Sequence, residues 1–207
     1  MTLAERAGRE KTLDAAARVV EACRLCAIGS TRTHSVFGEG PGESEDRLGR
    51  PFVGRSGELL EKMLGAIGLA REDVYIANTV KCRPTLDAGH RLANRAPTPE
   101  EMKNCRHHLD AQIDVIRPRV ILALGAPAAK SFMGERFSIT KQRGQWFDGP
   151  FGIPVTATFH PAYILRQTGG AMTEVKRLVF ADLKAVRERI DAPLPAPIAL
   201  EQQSLFD

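Results

Sequence analysis

Apolar residues recur at helical spacing over Leu13–Cys23 and again over Glu58–Leu69, which predicts a helix in each stretch. Between them lies Ser35–Gly57, with glycines at 38, 40, 42, 49, 54 and 57. So many residues without a side chain predict a loop free of regular structure, suited to close backbone approach to a ligand. Asp73–Val80 (DVYIANTV) and Arg119–Leu124 (RVILAL) are short β-branched runs without strict polar alternation, the pattern of strands covered on both faces. A helix over Pro99–Ile116 separates them, and Thr98 with Glu101 three residues on forms the reciprocal capping pair that opens it. Ile153–Phe159 reads as a further buried strand ending at His160-Pro161, and Thr173–Ile190 as an amphipathic closing helix. The alternation predicts an α/β fold, a three-layer α/β/α sandwich around a short, mainly parallel central sheet. From Asp191 the chain turns Pro-rich (DAPLPAP), so a domain over 1–190 followed by an extended tail over 191–207 is expected.

Composition narrows the picture only a little. The 207 residues are 43% hydrophobic and 26% charged, which suits one substantial core, and the net charge of +4 is compatible with a polyanionic partner without requiring one. No run of 18 apolar residues occurs and Met1–Thr12 has no apolar core, so a cytoplasmic protein without a membrane span is expected. In that compartment four cysteines argue against disulfides. Cys23-x-x-Cys26 ends the first predicted helix, Cys82 follows the Asp73–Val80 run, and Cys105 lies inside Pro99–Ile116. Four thiolates from three segments suit tetrahedral zinc or an iron–sulfur cubane, and buried free cysteines are the plain alternative.

Four motifs carry a resemblance. GEGPGESEDRLGRPFVGRSG (38–57), ANTVKCRP (77–84), LGA (124–126) and HPAYILR (160–166) occur in the order found in family-4, iron–sulfur uracil-DNA glycosylases, which the chain resembles over most of residues 15–190. The resemblance implies the fold of that family and a base-excision-repair hydrolase that flips uracil out of DNA and cuts its N-glycosidic bond. It further implies a [4Fe-4S] cluster held by Cys23, Cys26, Cys82 and Cys105, and a monomer acting on uracil-containing DNA. Glu39 would stand near the attacking water and Glu45 beside the base, while Gly40 occupies the place where another branch uses an aspartate base. The chemistry would then be largely dissociative.

The residues suit that chemistry on their own terms. Breaking the bond requires an extruded base held by its pairing edge and a stacked ring, with negative charge stabilised as the base departs. Phe52 can stack on a flipped pyrimidine, or simply anchor its loop in the core. Asn78 offers the donor and acceptor that the O4 and N3–H edge of uracil demands, or ends a strand in a turn. His160, at the carboxyl edge of a predicted strand, can donate to uracil O2 as charge builds. Ile164, Leu165 and Arg166 combine an apolar wedge with a phosphate-binding cation, or begin a helix that packs its apolar face. Gly42 stands where another branch carries a tyrosine that bars a 5-methyl group, which leaves thymine exclusion to neighbours the sequence does not identify.

The chain departs from the family pattern twice. Relatives place about a dozen residues, including the first sheet strand, between a Val-Phe-Gly-Glu-Gly turn and the GEGPG loop, whereas Val36-Phe37-Gly38-Glu39-Gly40 runs directly into Pro41-Gly42 here. Either His34–Phe37 supplies that strand or the strand is missing. The second departure is the 22 residues between Cys82 and Cys105, which contain the basic stretch LDAGHRLANRA (86–96). It resembles the extra loop of DNA-crosslinking relatives, but Thr98-Pro99 is preceded by Arg95, Ala96 and Pro97 rather than by histidine, so turnover is expected. His90, Arg91 and Arg95 would contact DNA or shape the rim, or else form a solvated loop. At the end of the tail, Gln202, Ser204, Leu205 and Phe206 resemble a bacterial sliding-clamp-binding peptide, two apolar anchors on a polar extension. Other readings are a uracil-DNA binding or crosslinking protein without turnover, a redox protein built on the cluster, and a glycosylase of wider substrate range.

Overall fold

The Pro99–Ile116 stretch forms its helix between those two residues, and the cap is the one expected. Thr98 Oγ1 accepts from the Glu101 N–H at 3.2 Å while Glu101 Oε2 accepts from the Thr98 N–H at 2.8 Å. The computed structural model describes residues 41–193 apart from 88, 90 and 91. The predicted helix over Leu13–Cys23, the His34–Phe37 run and the tail beyond Pro193 therefore lie outside the described residues.

In chain order the elements are α1 (Glu43–Leu48), α2 (Arg55–Gly65), a hairpin of β1 (Thr85–Asp87) and β2 (Leu92–Asn94), α3 (Pro99–Ile116), β3 (Ile121–Leu124), α4 (Ala126–Met133), α5 (Ile139–Gln142), β4 (Phe147–Asp148), β5 (Pro154–Thr158), α6 (Pro161–Leu165) and α7 (Gly169–Asp191). The sheet has the order β3-β5-β4. β3 runs parallel to β5 with Ile121 opposite Val155 and Leu124 opposite Thr158, and β4 pairs antiparallel to β5 at its edge. Because β-strand side chains alternate, Leu122 and Leu124 face a core built with Leu60, Leu64, Ile164, Val179 and Leu183 from α2, α6 and α7. Ala123 and Ala157 face the other way, against Ala128 and Ala129 of α4. The result is the three-layer α/β/α arrangement, with helices on both faces of a mixed, mainly parallel sheet.

Three local expectations are corrected. The glycine-rich 35–57 stretch is not wholly irregular, because Glu43–Leu48 is helical. Acidic Glu43, Glu45 and Asp46 in its first turn complement the helix dipole, and Gly49, at φ 66°, ends it in the left-handed conformation glycine adopts readily. The second helix opens at Arg55 and ends at Gly65, shifted towards the N-terminus from Glu58–Leu69. Asp73–Val80 is not a sheet strand: a 3-10 turn over Arg71–Asp73 leads into a segment that pairs with no strand among the described residues. Its apolar pattern is real, since burial fixes that pattern, but a strand also needs a partner edge.

Candidate active site

Phe52 adopts a positive φ of 53°, a strained conformation for a bulky residue that costs on the order of 1–3 kcal/mol and persists only where neighbours enforce it. Its neighbours do so from every side. Arg71 donates to the Pro51 carbonyl at 2.5 Å and to the Phe52 carbonyl at 3.3 Å. Glu45 Oε1 accepts from the N–H groups of Val53 and Gly54, at 3.1 and 3.3 Å. Beneath them Gly57 leaves no room for a side chain, since a Cβ there would lie 1.9 Å from the Phe52 carbonyl oxygen. The aromatic ring so held is 8% exposed and its centroid lies 5.7 Å from the His160 imidazole.

His160 sits where β5 gives way to α6, at the carboxyl end of the strand. Its Nδ1 accepts from the Ala162 N–H at 3.0 Å, which caps the helix before Pro161 starts it. An imidazole whose Nδ1 accepts carries its proton on Nε2, so the outward nitrogen is a donor. The strand end is anchored from behind. Thr158 donates to Asp182 Oδ2 at 2.6 Å, Arg143 donates to Asp182 Oδ1 at 2.5 Å and to the Leu178 carbonyl at 3.1 Å, and Gly144 accommodates the carboxylate because a Cβ there would lie 2.5 Å from it.

Asn78 is 1% exposed, and its Oδ1 has no hydrogen-bond partner among the described residues. A buried orphan acceptor costs about 1–3 kcal/mol, and an acceptor reserved for a ligand is one reason to keep it. Its backbone carbonyl is fixed by the wholly buried Lys81, which donates to it at 2.5 Å and to Gln112 Oε1 at 2.8 Å. Burial pushes the Lys81 ammonium down to about 7, opposed by the charge of Cys105. Cys82, the next residue along, and Cys105 are both buried. Two buried soft donors, one of them close enough to act on the buried Lys81 ammonium, are half the number a tetrathiolate site needs. Among the described residues no group of three or more metal-ligating side chains occurs, and Cys23 and Cys26 lie outside them.

The acidic cluster is sorted by the fold. Glu43 is exposed and 3.7 Å from Arg83, Asp46 is buried, and Glu45 turns in to hold the Phe52 loop. A Cβ on Gly42 would lie 2.5 Å from Glu45 Oε2, so the carboxylate occupies the space a side chain at 42 would take. The hairpin borders the same place: Asn94 Nδ2 is 3.6 Å from that Cβ position, and its Oδ1 accepts from Arg83 at 2.7 Å.

Two residues expected at the DNA surface are used elsewhere. Ile164 is 2% exposed and belongs to the core, so of its segment only the half-buried Leu165 and exposed Arg166 are offered outward. Arg95 spends its guanidinium on both Glu101 oxygens, at 2.7 and 2.5 Å, and on the carbonyls of Thr85 and Ala96, stapling the hairpin to the start of α3. His90, Arg91, Glu39 and Gly40 lie outside the described residues. Arg71, Asp182 and Arg143 were missed by sequence reasoning because each acts across 19 to 39 residues of chain, beyond any local pattern.

The family model of the Uracil DNA glycosylase superfamily matches residues 31–184. The type-4 uracil-DNA glycosylase of Thermotoga maritima is 44% identical over 195 residues, covering 88% of this chain and 96% of its own. Those of Sulfurisphaera tokodaii and Archaeoglobus fulgidus are each 39% identical, covering 84% and 75% of this chain and 83% and 84% of their own lengths. A chain matched over most of its length by that family, and by type-4 relatives nearly end to end, belongs to the uracil-DNA glycosylase superfamily beside its type-4 members.

Proposed function

We propose that the protein is a uracil-DNA glycosylase, a repair hydrolase that extrudes uracil from DNA and releases it, leaving an abasic site. The observation that carries this reading is the pairing of a strained, clamped aromatic with an imidazole donor 5.7 Å away at the carboxyl edge of the sheet. Extruded uracil stacks on Phe52. Asn78 Oδ1 accepts from N3–H while its amide donates to O4, an arrangement cytosine would meet donor to donor. Glu45 fills the space beside C5 that Gly42 leaves open and excludes a 5-methyl group.

As the bond between N1 and C1′ lengthens, its electron pair passes to the base. His160 Nε2–H donates to O2 and stabilises that charge, and a positive centre develops at C1′. Water adds to C1′ and its proton passes through solvent to the departing uracil anion, so that neutral uracil and an abasic sugar result. Glu39 and Gly40 are assigned to that water. Cys23, Cys26, Cys82 and Cys105 would hold a [4Fe-4S] cluster, which when bound supplies a cross-link between segments of the chain. Leu165 enters the stack left by the base and Arg166 meets phosphate, while Gln202, Ser204, Leu205 and Phe206 bind the sliding clamp. No described helix is long and apolar enough to cross a membrane, and the reaction is assigned to the cytoplasm.

The test is release of free uracil from a uracil-containing oligonucleotide under multiple turnover, with His160→Ala and Asn78→Ala alongside. Turnover falling at least 100-fold in both variants, with oligonucleotide affinity falling less, is the expected result. Tight binding with no base release by the unaltered protein would replace this reading with binding or crosslinking without turnover.

A further inference from the structure

A phenylalanine relaxes readily into extended or helical backbone, where φ is negative. At φ 53° the Phe52 carbonyl instead lies against Gly57 of α2, so close that a Cβ there would overlap it. A carbonyl directed into the protein needs a donor. Arg71 supplies it, with Nη1 3.3 Å from the Phe52 carbonyl and Nη2 2.5 Å from the Pro51 carbonyl. Those two oxygens belong to the peptide planes on either side of the Phe52 Cα, and the orientation of the two planes is what φ and ψ of Phe52 describe. Glu45 reaches only the second plane, through the Val53 N–H, whereas Arg71 grips both. A planar guanidinium fork suits that task and a lysine ammonium, a point donor, does not.

Arg71 is itself held. It opens the Arg71–Asp73 turn, which Asp73 Oδ2 closes by accepting from the Ala70 N–H at 2.8 Å, and Glu61 Oε1 lies 3.4 Å from Nη1. Its side chain is 20% exposed, so water competes little for the two carbonyls. We infer that Arg71 is a positioning residue for uracil release: it holds Phe52 in the left-handed conformation that sets the ring beside His160, so the stacking surface stands ready before a base arrives. The inference rests on the reading of Phe52 as the platform for an extruded uracil. Arg71 acts through the Phe52 backbone and not on the base. Without its fork Phe52 relaxes to negative φ, its ring leaves the 5.7 Å contact with His160, and only the fraction of molecules that restores the contact can take a base.

The full-length protein gives two readouts, the first independent of turnover. The imidazole proton resonances of His160, assigned with His160→Gln, carry the ring-current shift of Phe52, which Phe52→Ala removes. Arg71→Gln is expected to move them in the same direction by at least half that displacement, and Arg71→Lys, which keeps charge and packing, to move them less. Resonances unmoved in both folded variants would overturn the inference. In single-turnover uracil release at saturating enzyme, Arg71→Gln is expected to be about tenfold slower or more, and Arg71→Gln with Phe52→Ala within about twofold of Phe52→Ala alone, since both remove one platform. A double variant slowed by the product of the two single effects would overturn the inference, because Arg71 would then act apart from Phe52. An unaltered protein that releases no uracil fails the glycosylase reading and the role in release with it, an outcome distinct from release that ignores Arg71.

Discussion

Gly42 and Gly57 are empty positions for different reasons, and the two substitutions separate chemistry from stability. At Gly42 an added methyl meets only the end of a flexible carboxylate, 2.5 Å away, so Gly42→Ala displaces Glu45 at little cost to the fold. Uracil release should fall about tenfold or more as the Val53 and Gly54 N–H groups lose their acceptor, with the melting temperature nearly unchanged, which thermal unfolding and single-turnover kinetics check together. At Gly57 the methyl meets backbone, so Gly57→Ala should lower stability by about 1–3 kcal/mol in denaturant titration. Glu45→Ala should reduce discrimination against thymine, read as the ratio of kcat/KM on uracil and thymine oligonucleotides. An unchanged ratio would remove Glu45 from specificity.

Elements are held to one another by a few buried charges. Asp182 of α7 pins the end of β5 through Thr158 and receives Arg143 from the segment after α5. Asp182→Ala leaves that guanidinium unpaired and should cost about 3–5 kcal/mol, while Asp182→Asn, which keeps an acceptor, should cost less. The hairpin is tied to α3 by Arg95 and Glu101. Arg95 beside it pulls the Glu101 carboxyl below its ordinary value, against burial, with help from the Thr98 N–H. Since the folded value is the lower one, the unfolded chain takes up the proton first. The pair's contribution is present above pH 4.5 and is lost as pH falls through the folded value. Glu101→Gln should flatten that part of the stability profile measured by melting at successive pH.

At the scale of the molecule, the cysteines and the tail make separable demands. If the four cysteines hold the proposed cluster, Cys82→Ala and Cys105→Ala should each purify with less iron than the unaltered protein and melt at a lower temperature, because a thiolate-held cluster would link segments distant in sequence. Removing 202–207 should abolish clamp pull-down and leave uracil release intact. With Arg95 committed to Glu101, the proposed DNA contact of the 86–96 stretch is tested first at Arg91. Arg91→Ala should lower the slope of log affinity against log salt by about one unit, whereas Arg95→Ala should act on stability first.

The sequence by itself determined the Thr98–Glu101 cap, the covered strands that became β3 and β5, the order of the four motifs and the family, because caps, apolar periodicity and contiguous motifs are local properties of the chain. The Thr98–Glu101 cap, the Pro99–Ile116 helix and the strand before His160 were legible for that reason. Only the tertiary structure decided that Asp73–Val80 lacks a partner strand among the described residues, that Ile164 belongs to the core and Arg95 to a staple, and that Glu45 occupies the space beside Gly42. Each of these depends on which distant groups arrive at the same point. That is set by packing the layers together, and no window of sequence contains it.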